Sequence, residues 1–354
     1  MAAFRASDRE RSSERRDIDM PERNLQVTLK SRPQGWVRES DFELLETPLP
    51  TIGAGEALLR TLYLSLDPYM RSRMDDAKSY AKNVDIGGVM VGGTVSEVVA
   101  SNIDGLVPGE IVVSSAGWQQ FSKTTGENLM RVPPGFPPSI FLGPAGMPGV
   151  TAWIGLFDIG QPKPGETVVV SGAAGAVGQT VGQLAKIKGC RAVGIAGGPA
   201  KCEWVVKELG FDACIDYKAG PVKDGLKAHC PAGVDVYFDN VGGEILDAVL
   251  TRINRKARII ICGAISQYNA TAKPVGPANY LSLLVNRARM EGMVVFDYAP
   301  RYGEAVAELA GYLKDGRMKS REDVVEGGVA AFPEALTMLF SGRNFGKLVL
   351  LADS

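Results

Sequence analysis

Histidine is almost missing from this sequence. The only one in 354 residues is His229, in a polar stretch beside Pro231, and a histidine-based hydrolase would have to rest on it with no nucleophile motif nearby. It reads as ordinary surface. The five cysteines, Cys190, Cys202, Cys214, Cys230 and Cys262, are odd in number and lack Cys-x-x-Cys spacing, so they form neither a clustered zinc site nor a disulfide framework. A reducing compartment is expected. No apolar run is long enough to cross a bilayer, and the first residues lack the apolar core of a secretory signal, so a cytoplasmic location is expected. Charge is balanced too, 39 basic against 40 acidic residues leaving −1 at pH 7, which gives no footprint for nucleic acid or an anionic membrane.

What is present begins with a mixed-charge segment. Residues 1–23 interleave Arg5, Arg9, Arg11, Arg15 and Arg16 with Asp8, Glu10, Glu14, Asp17 and Asp19, a composition that predicts a disordered tail rather than a transit peptide. The remaining length suggests two domains. Residues 24–150 carry short apolar or alternating runs at 25–29, 56–66, 89–99 and 110–114, punctuated by Gly and Pro, which predicts a mostly β, barrel-like domain. From about 151 to 315 strand and helix signals alternate, as in a doubly wound parallel sheet. Strands are expected at 167–170, 191–195, 234–238, 258–261 and 290–296, and helices at 177–188, 244–253, 280–287 and 302–315. Residues 316–354 hold a last helix at 333–340 and a strand at 347–351 that can return to the first domain.

The second half is organised around residues 171–178, Ser-Gly-Ala-Ala-Gly-Ala-Val-Gly, between the first of these strands and its helix. Ala173, Gly175 and Gly178 fill the Gly-x-Gly-x-x-Gly fingerprint, with alanine in the first place. Such a turn offers unpaired helix N–H groups and a favourable dipole to a phosphate. An NAD site carries an acidic residue after the second strand, on the ribose 2′-hydroxyl. Here that place reads Ala196, Gly197, Gly198, Pro199, Ala200, Lys201. A lysine binds a 2′-phosphate that a carboxylate would repel, so the pattern points to NADP(H).

Ligands of such sheets lie at the carboxyl ends of the strands. There stand Asn240, with donor and acceptor groups for ribose or nicotinamide, and the run 263–269 containing Tyr268. A tyrosine hydroxyl can donate a hydrogen bond, or a proton, to an oxygen that gains negative charge. Read from the residues alone, Tyr268 is more simply an ordinary surface tyrosine.

Several motifs in combination change that reading: Ala173 to Gly178, Cys190 through Lys201, Leu209-Gly210-Phe211-Asp212, Phe238-Asp239-Asn240-Val241-Gly242-Gly243 and Cys262-Gly263-Ala264-Ile265-Ser266-Gln267-Tyr268-Asn269. Leu64-Ser65-Leu66-Asp67-Pro68-Tyr69-Met70-Arg71, Gly146-Met147-Pro148-Gly149 and Asn344-Phe345-Gly346-Lys347 extend the set. The chain beyond residue 23 resembles the zinc-independent medium-chain dehydrogenase/reductases, in the branch of NADPH-dependent double-bond reductases that includes curcumin, alkenal and prostaglandin reductases. The resemblance implies a GroES-like β-barrel domain plus a Rossmann α/β domain, a homodimer, and no metal. It places Gly175, Ala176, Val177 and Gly178 on the pyrophosphate and Lys201 and Tyr217 on the 2′-phosphate. Asn240, Cys262, Gly263, Ala264, Ile265, Ser266, Gln267, Tyr268, Met293, Val294, Val295 and Asn344 would line the rest of the cofactor. Tyr268 is also implied as the catalytic or orienting tyrosine, and Tyr69 as a substrate contact. The expected activity is reduction of the C=C bond of an α,β-unsaturated ketone or aldehyde; a quinone oxidoreductase and a non-catalytic NADPH-binding redox sensor are the alternatives.

Overall fold

The computed structural model describes residues 21–352, so nearly all of the charged tail read from the sequence lies outside the described residues. Arg23 is already in the first strand, Arg23–Leu29, opposite Pro48 of Phe42–Pro48.

The centre of the second half is the strand Thr167–Ser171, whose five residues are all buried. Alternate residues of a strand face opposite sides of a sheet. Accordingly Val168 and Val170 join one apolar core with Val181, Leu184 and Phe238, while Val169 joins another with Val193, Ile195, Leu226 and Val249. A strand apolar on both faces needs helices above and below it, which is why this sheet is parallel and interior. Its order is Ala213–Asp216, Arg191–Ala196, Thr167–Ser171, Val234–Asp239, Ile253–Ile261, Arg289–Gly292, all parallel. The chain reverses direction of travel beside Thr167–Ser171, the switch point where ligands sit.

The other large sheet is mainly antiparallel, in the order Glu322–Val325, Lys347–Leu351, Ala57–Ser65, Thr94–Ser101, Ile111–Ser114, Met130–Arg131, with Phe121–Thr124 paired on Ala57–Ser65. Lys347–Leu351 pairs antiparallel with Ala57–Ser65, so the chain's last strand does return to the first sheet. Among the described residues no helix is long and apolar enough to cross a membrane.

One expected strand is shortened and one further strand is present. The strand expected over 290–296 ends at Gly292, because it is the sheet's edge and the chain turns at Val295–Arg301 into a kinked 3-10 segment containing Pro300. The edge strand Ala213–Asp216, only four residues long, carried too short an apolar signal to be read. Tyr69 opens a short helix, Tyr69–Arg73.

Candidate active site

Chain reversal after Thr167–Ser171 falls on Gly172, whose φ of 62° is the left-handed conformation. Ala173 is accommodated in the first fingerprint place because Gly194 faces it: a Cβ on Gly194 would lie 2.8 Å from the Ala173 methyl. Gly178 has no such freedom, since its Cβ would lie 2.2 Å from the Gly172 carbonyl oxygen. The helix Ala176–Ile187 makes its first internal bond from Gln179 N–H to the Gly175 carbonyl at 3.0 Å. The N–H groups of Ala176, Val177 and Gly178 therefore stand ahead of it without helical acceptors, an arrangement that attracts an anion. Closing the turn from the other side, Gly346 N–H donates to the Ala174 carbonyl at 3.1 Å. Asn344 is buried and donates to the Gly346 carbonyl, so it shapes this strap.

At the far end of the cleft, Lys201 lies in the first turn of the helix Pro199–Lys207 and donates to the Gly342 carbonyl at 2.7 Å. Burial and the neighbouring Lys218 lower its pKa, against a smaller opposing pull from Asp323. Tyr217 folds over Gly197, where a Cβ would lie 2.6 Å from its hydroxyl. Asp216 ends the neighbouring strand, and its Oδ1 accepts from the N–H groups of Gly198 and Lys218. The second lysine was not singled out from the sequence, because it follows the short strand that was not read.

The floor is Asp239, wholly buried, whose Oδ1 accepts from Ser171 Oγ, Tyr237 Oη and the N–H groups of Val241 and Gly242 at 2.8 to 3.0 Å. Asn240 gives its amide to the Ser171 carbonyl at 2.8 Å, tying two strand ends together. The following loop is sewn to this floor: Cys262 and Gly263 donate to the Asp239 carbonyl, Ile265 to that of Asn240, Ser266 to that of Val241. Gln267 N–H closes the turn onto the Ala264 carbonyl. Tyr268 then folds back, and its hydroxyl oxygen accepts the Ala264 N–H at 3.1 Å above Gly263. Burial raises the Tyr268 pKa, with the Ala264 hydrogen bond lowering it in part. Burial pushes the Cys262 thiol up to about 12, helped by Asp239. Val295 is buried in the core of the parallel sheet and Met293 packs against it, so Val295 can offer a ligand mainly its main chain.

From the other sheet comes Tyr69. Its helix is anchored by Asp67, which accepts from Lys347 Nζ at 2.8 Å and from Ser65 Oγ. The Arg73 guanidinium lies 5.7 Å from the Tyr69 ring and 4.8 Å from that of Tyr80, and Tyr80 in turn lies 6.4 Å from Phe296. Burial, then Asp67, pushes the Tyr69 phenol well up, and Tyr80 acts electrostatically on both Tyr69 and Tyr268. Tyr80 and Arg73 thus join the surroundings of Tyr69, and the sequence reading missed both. An aromatic in an otherwise polar loop was the available signal.

Residues 25–132 match the family described as the N-terminal domain of oxidoreductase, and residues 176–311 match zinc-binding dehydrogenase. The NADPH-dependent curcumin reductase of Escherichia coli (strain K12) is 46% identical over 337 residues, covering 93% of this chain and 97% of that one. It is decisive for the family. This chain belongs to the double-bond reductase branch of the medium-chain dehydrogenase/reductases. The 2-alkenal reductase (NADP(+)-dependent) of Nicotiana tabacum is 40% identical over 338 residues, covering 93% of this chain and 98% of the other. Among solved structures, CurA from Vibrio vulnificus in complex with NADPH is 48% identical with a TM-score of 0.88, over 93% of this chain and 99% of that one. Although one family description mentions zinc, no three His, Cys, Asp or Glu side chains among the described residues form a cluster fit for a metal ion.

Proposed function

We propose that this protein reduces the C=C bond of α,β-unsaturated ketones and aldehydes with NADPH. The observation that carries the reading is the Tyr268 hydroxyl, whose oxygen accepts from Ala264 N–H, an arrangement that leaves its own hydrogen to donate at the carboxyl ends of the parallel strands. The similar curcumin and alkenal reductases support it.

The residues present fit the cofactor. A Cβ at Gly178 would strike the Gly172 carbonyl, so glycine there lets the helix start close onto the turn as a dinucleotide fold requires, and the second strand ends in Ala196, Gly197 and Gly198 with Lys201 beyond, where a 2′-phosphate needs a cation. Ala176, Val177 and Gly178 would hold the pyrophosphate, Lys201 and Tyr217 the 2′-phosphate, and Asn240 with the loop 262–268 the remainder. When bound, NADPH supplies a hydride to the substrate's β-carbon. As charge develops on the carbonyl oxygen, Tyr268 stabilises the enolate by hydrogen bonding, its O–H polarised by the bond its oxygen already accepts. Tyr69 and Tyr80, steadied by Arg73, give the flat conjugated substrate aromatic faces to lie against. Protonation at the α-carbon completes the reaction.

In this reading residues 24–150 and 316–354 carry the substrate side, residues 151–315 carry the nucleotide, and catalysis needs no metal. The protein works in the cytoplasm as a homodimer. Support for the dimer comes from the exposed Leu281, Leu284 and Val285 on the helix Leu281–Asn286, beside the open edge strand Arg289–Gly292. NADPH oxidation with 3-nonen-2-one, 2-hexenal, curcumin and a quinone, with products identified by mass, tests the activity. Saturated carbonyls support the reading. An allylic alcohol or a hydroquinone as the product would replace it with a carbonyl or quinone reductase, and NADPH binding without any turnover would leave a sensor.

A further inference from the structure

Two cysteines meet at the end of the nucleotide cleft. Cys202 follows Lys201 in the helix Pro199–Lys207, and Cys214 lies on the strand Ala213–Asp216, three residues before Tyr217. Their sulfurs are 2.6 Å apart, the Cys214 thiol donating to Cys202, and both residues are partly exposed. The other cysteines have different surroundings: Cys190 and Cys230 are buried, and Cys262 belongs to the crevice loop.

We propose that Cys202 and Cys214 form a peroxide-sensitive dithiol, and that its oxidation to a disulfide weakens NADPH binding at the 2′-phosphate end of the cleft. The effect on NADPH rests on the function proposed above; disulfide formation does not. Cys202 is the attacking sulfur. It receives the hydrogen bond from Cys214, which lowers its pKa, and it lies near a helix N-terminus, which favours a thiolate. Cys214, the donor, is pushed the other way by that bond and by burial.

The Cys202 thiolate attacks one oxygen of hydrogen peroxide and breaks the O–O bond, giving a sulfenic acid and hydroxide. The Cys214 sulfur then displaces the hydroxyl from Cys202, and its own proton leaves with that group as water. The hydroxide takes up the proton that Cys202 released on ionising, so two electrons pass from the thiols to the peroxide, which ends as two waters. A dithiol reductant reverses the change by exchange. Drawing the sulfurs from contact to bond length shifts the first turns of the helix toward the strand. That turn carries Lys201, and the strand leads into Tyr217, so both groups assigned to the 2′-phosphate move.

The test is peptide mapping after hydrogen peroxide treatment and alkylation, with NADPH affinity measured by fluorescence titration, which needs no turnover. The expected result is a Cys202–Cys214 linked peptide that dithiothreitol removes, with a several-fold loss of NADPH affinity on oxidation and recovery on reduction. Cys202→Ser should abolish both changes, and Cys214→Ser should leave a sulfenic acid on Cys202 that dimedone traps. If both cysteines remain alkylatable after peroxide, or if the disulfide forms with NADPH affinity unchanged, the proposal fails. Absence of enone turnover would count against the enzymatic reading alone, because both readouts here are independent of it.

Discussion

The Lys347 ammonium donates to the Asp67 carboxylate at 2.8 Å, with the two side chains 1% and 7% exposed. Its other hydrogens go to Ser65 Oγ and the Leu66 carbonyl, so the charge is fully satisfied. Lys347 directly follows Gly346, which touches the phosphate turn, while Asp67 leads into the helix that carries Tyr69. The ion pair therefore links the two walls of the cleft.

Lys347→Met should leave Asp67 buried without its cation, which costs about 3–5 kcal/mol in comparable cases. Urea unfolding measures this, and the surviving folded enzyme should show a raised KM for enone as the Tyr69 helix loosens. A loss below ~1 kcal/mol would mean the pair contributes little.

Lys201→Ala removes the cation assigned to the 2′-phosphate. A hydrogen bond to a charged group contributes about 1.5–3 kcal/mol, so the preference for NADPH over NADH should fall roughly 10- to 100-fold. Comparing kcat/KM for the two nucleotides reads it directly. An unchanged ratio would move the discrimination to Lys218 or Tyr217.

Much of this architecture was legible in the sequence. The buried strand at 167–171, the glycine turn and the closing strand at 347–351 carry their signals locally, in apolar runs and in glycines whose Cβ would clash. Tyr80, Arg73 and the Lys347–Asp67 pair did not, because their meaning comes from contacts between residues far apart in the chain. Gly182 shows the same limit: it is glycine because the Phe211 ring occupies the place of its Cβ, which no local pattern reveals.

Leu284→Glu places a charge on the exposed apolar helix at 281–286. If that helix and the neighbouring edge strand form the proposed homodimer interface, light scattering should report a monomer for the variant and a dimer for the parent. Equal masses would place the interface elsewhere or remove it.

Tyr268→Phe should lower turnover about 10²- to 10³-fold, the cost of losing one donor to a developing oxyanion. Because burial raises its pKa, Tyr268 keeps its proton beyond the ordinary tyrosine value of about 10. The contribution of its donor form to kcat should therefore be constant through neutral pH and decline only on the alkaline side. A parent enzyme whose rate falls between about pH 7 and pH 9 at saturating substrate would assign that step to another group.

The most direct measurement is the position of deuterium after reaction of an enone with 4-deuterated NADPH. The account predicts a saturated ketone labelled at the β-carbon, whereas label at the carbonyl carbon of an allylic alcohol would contradict it.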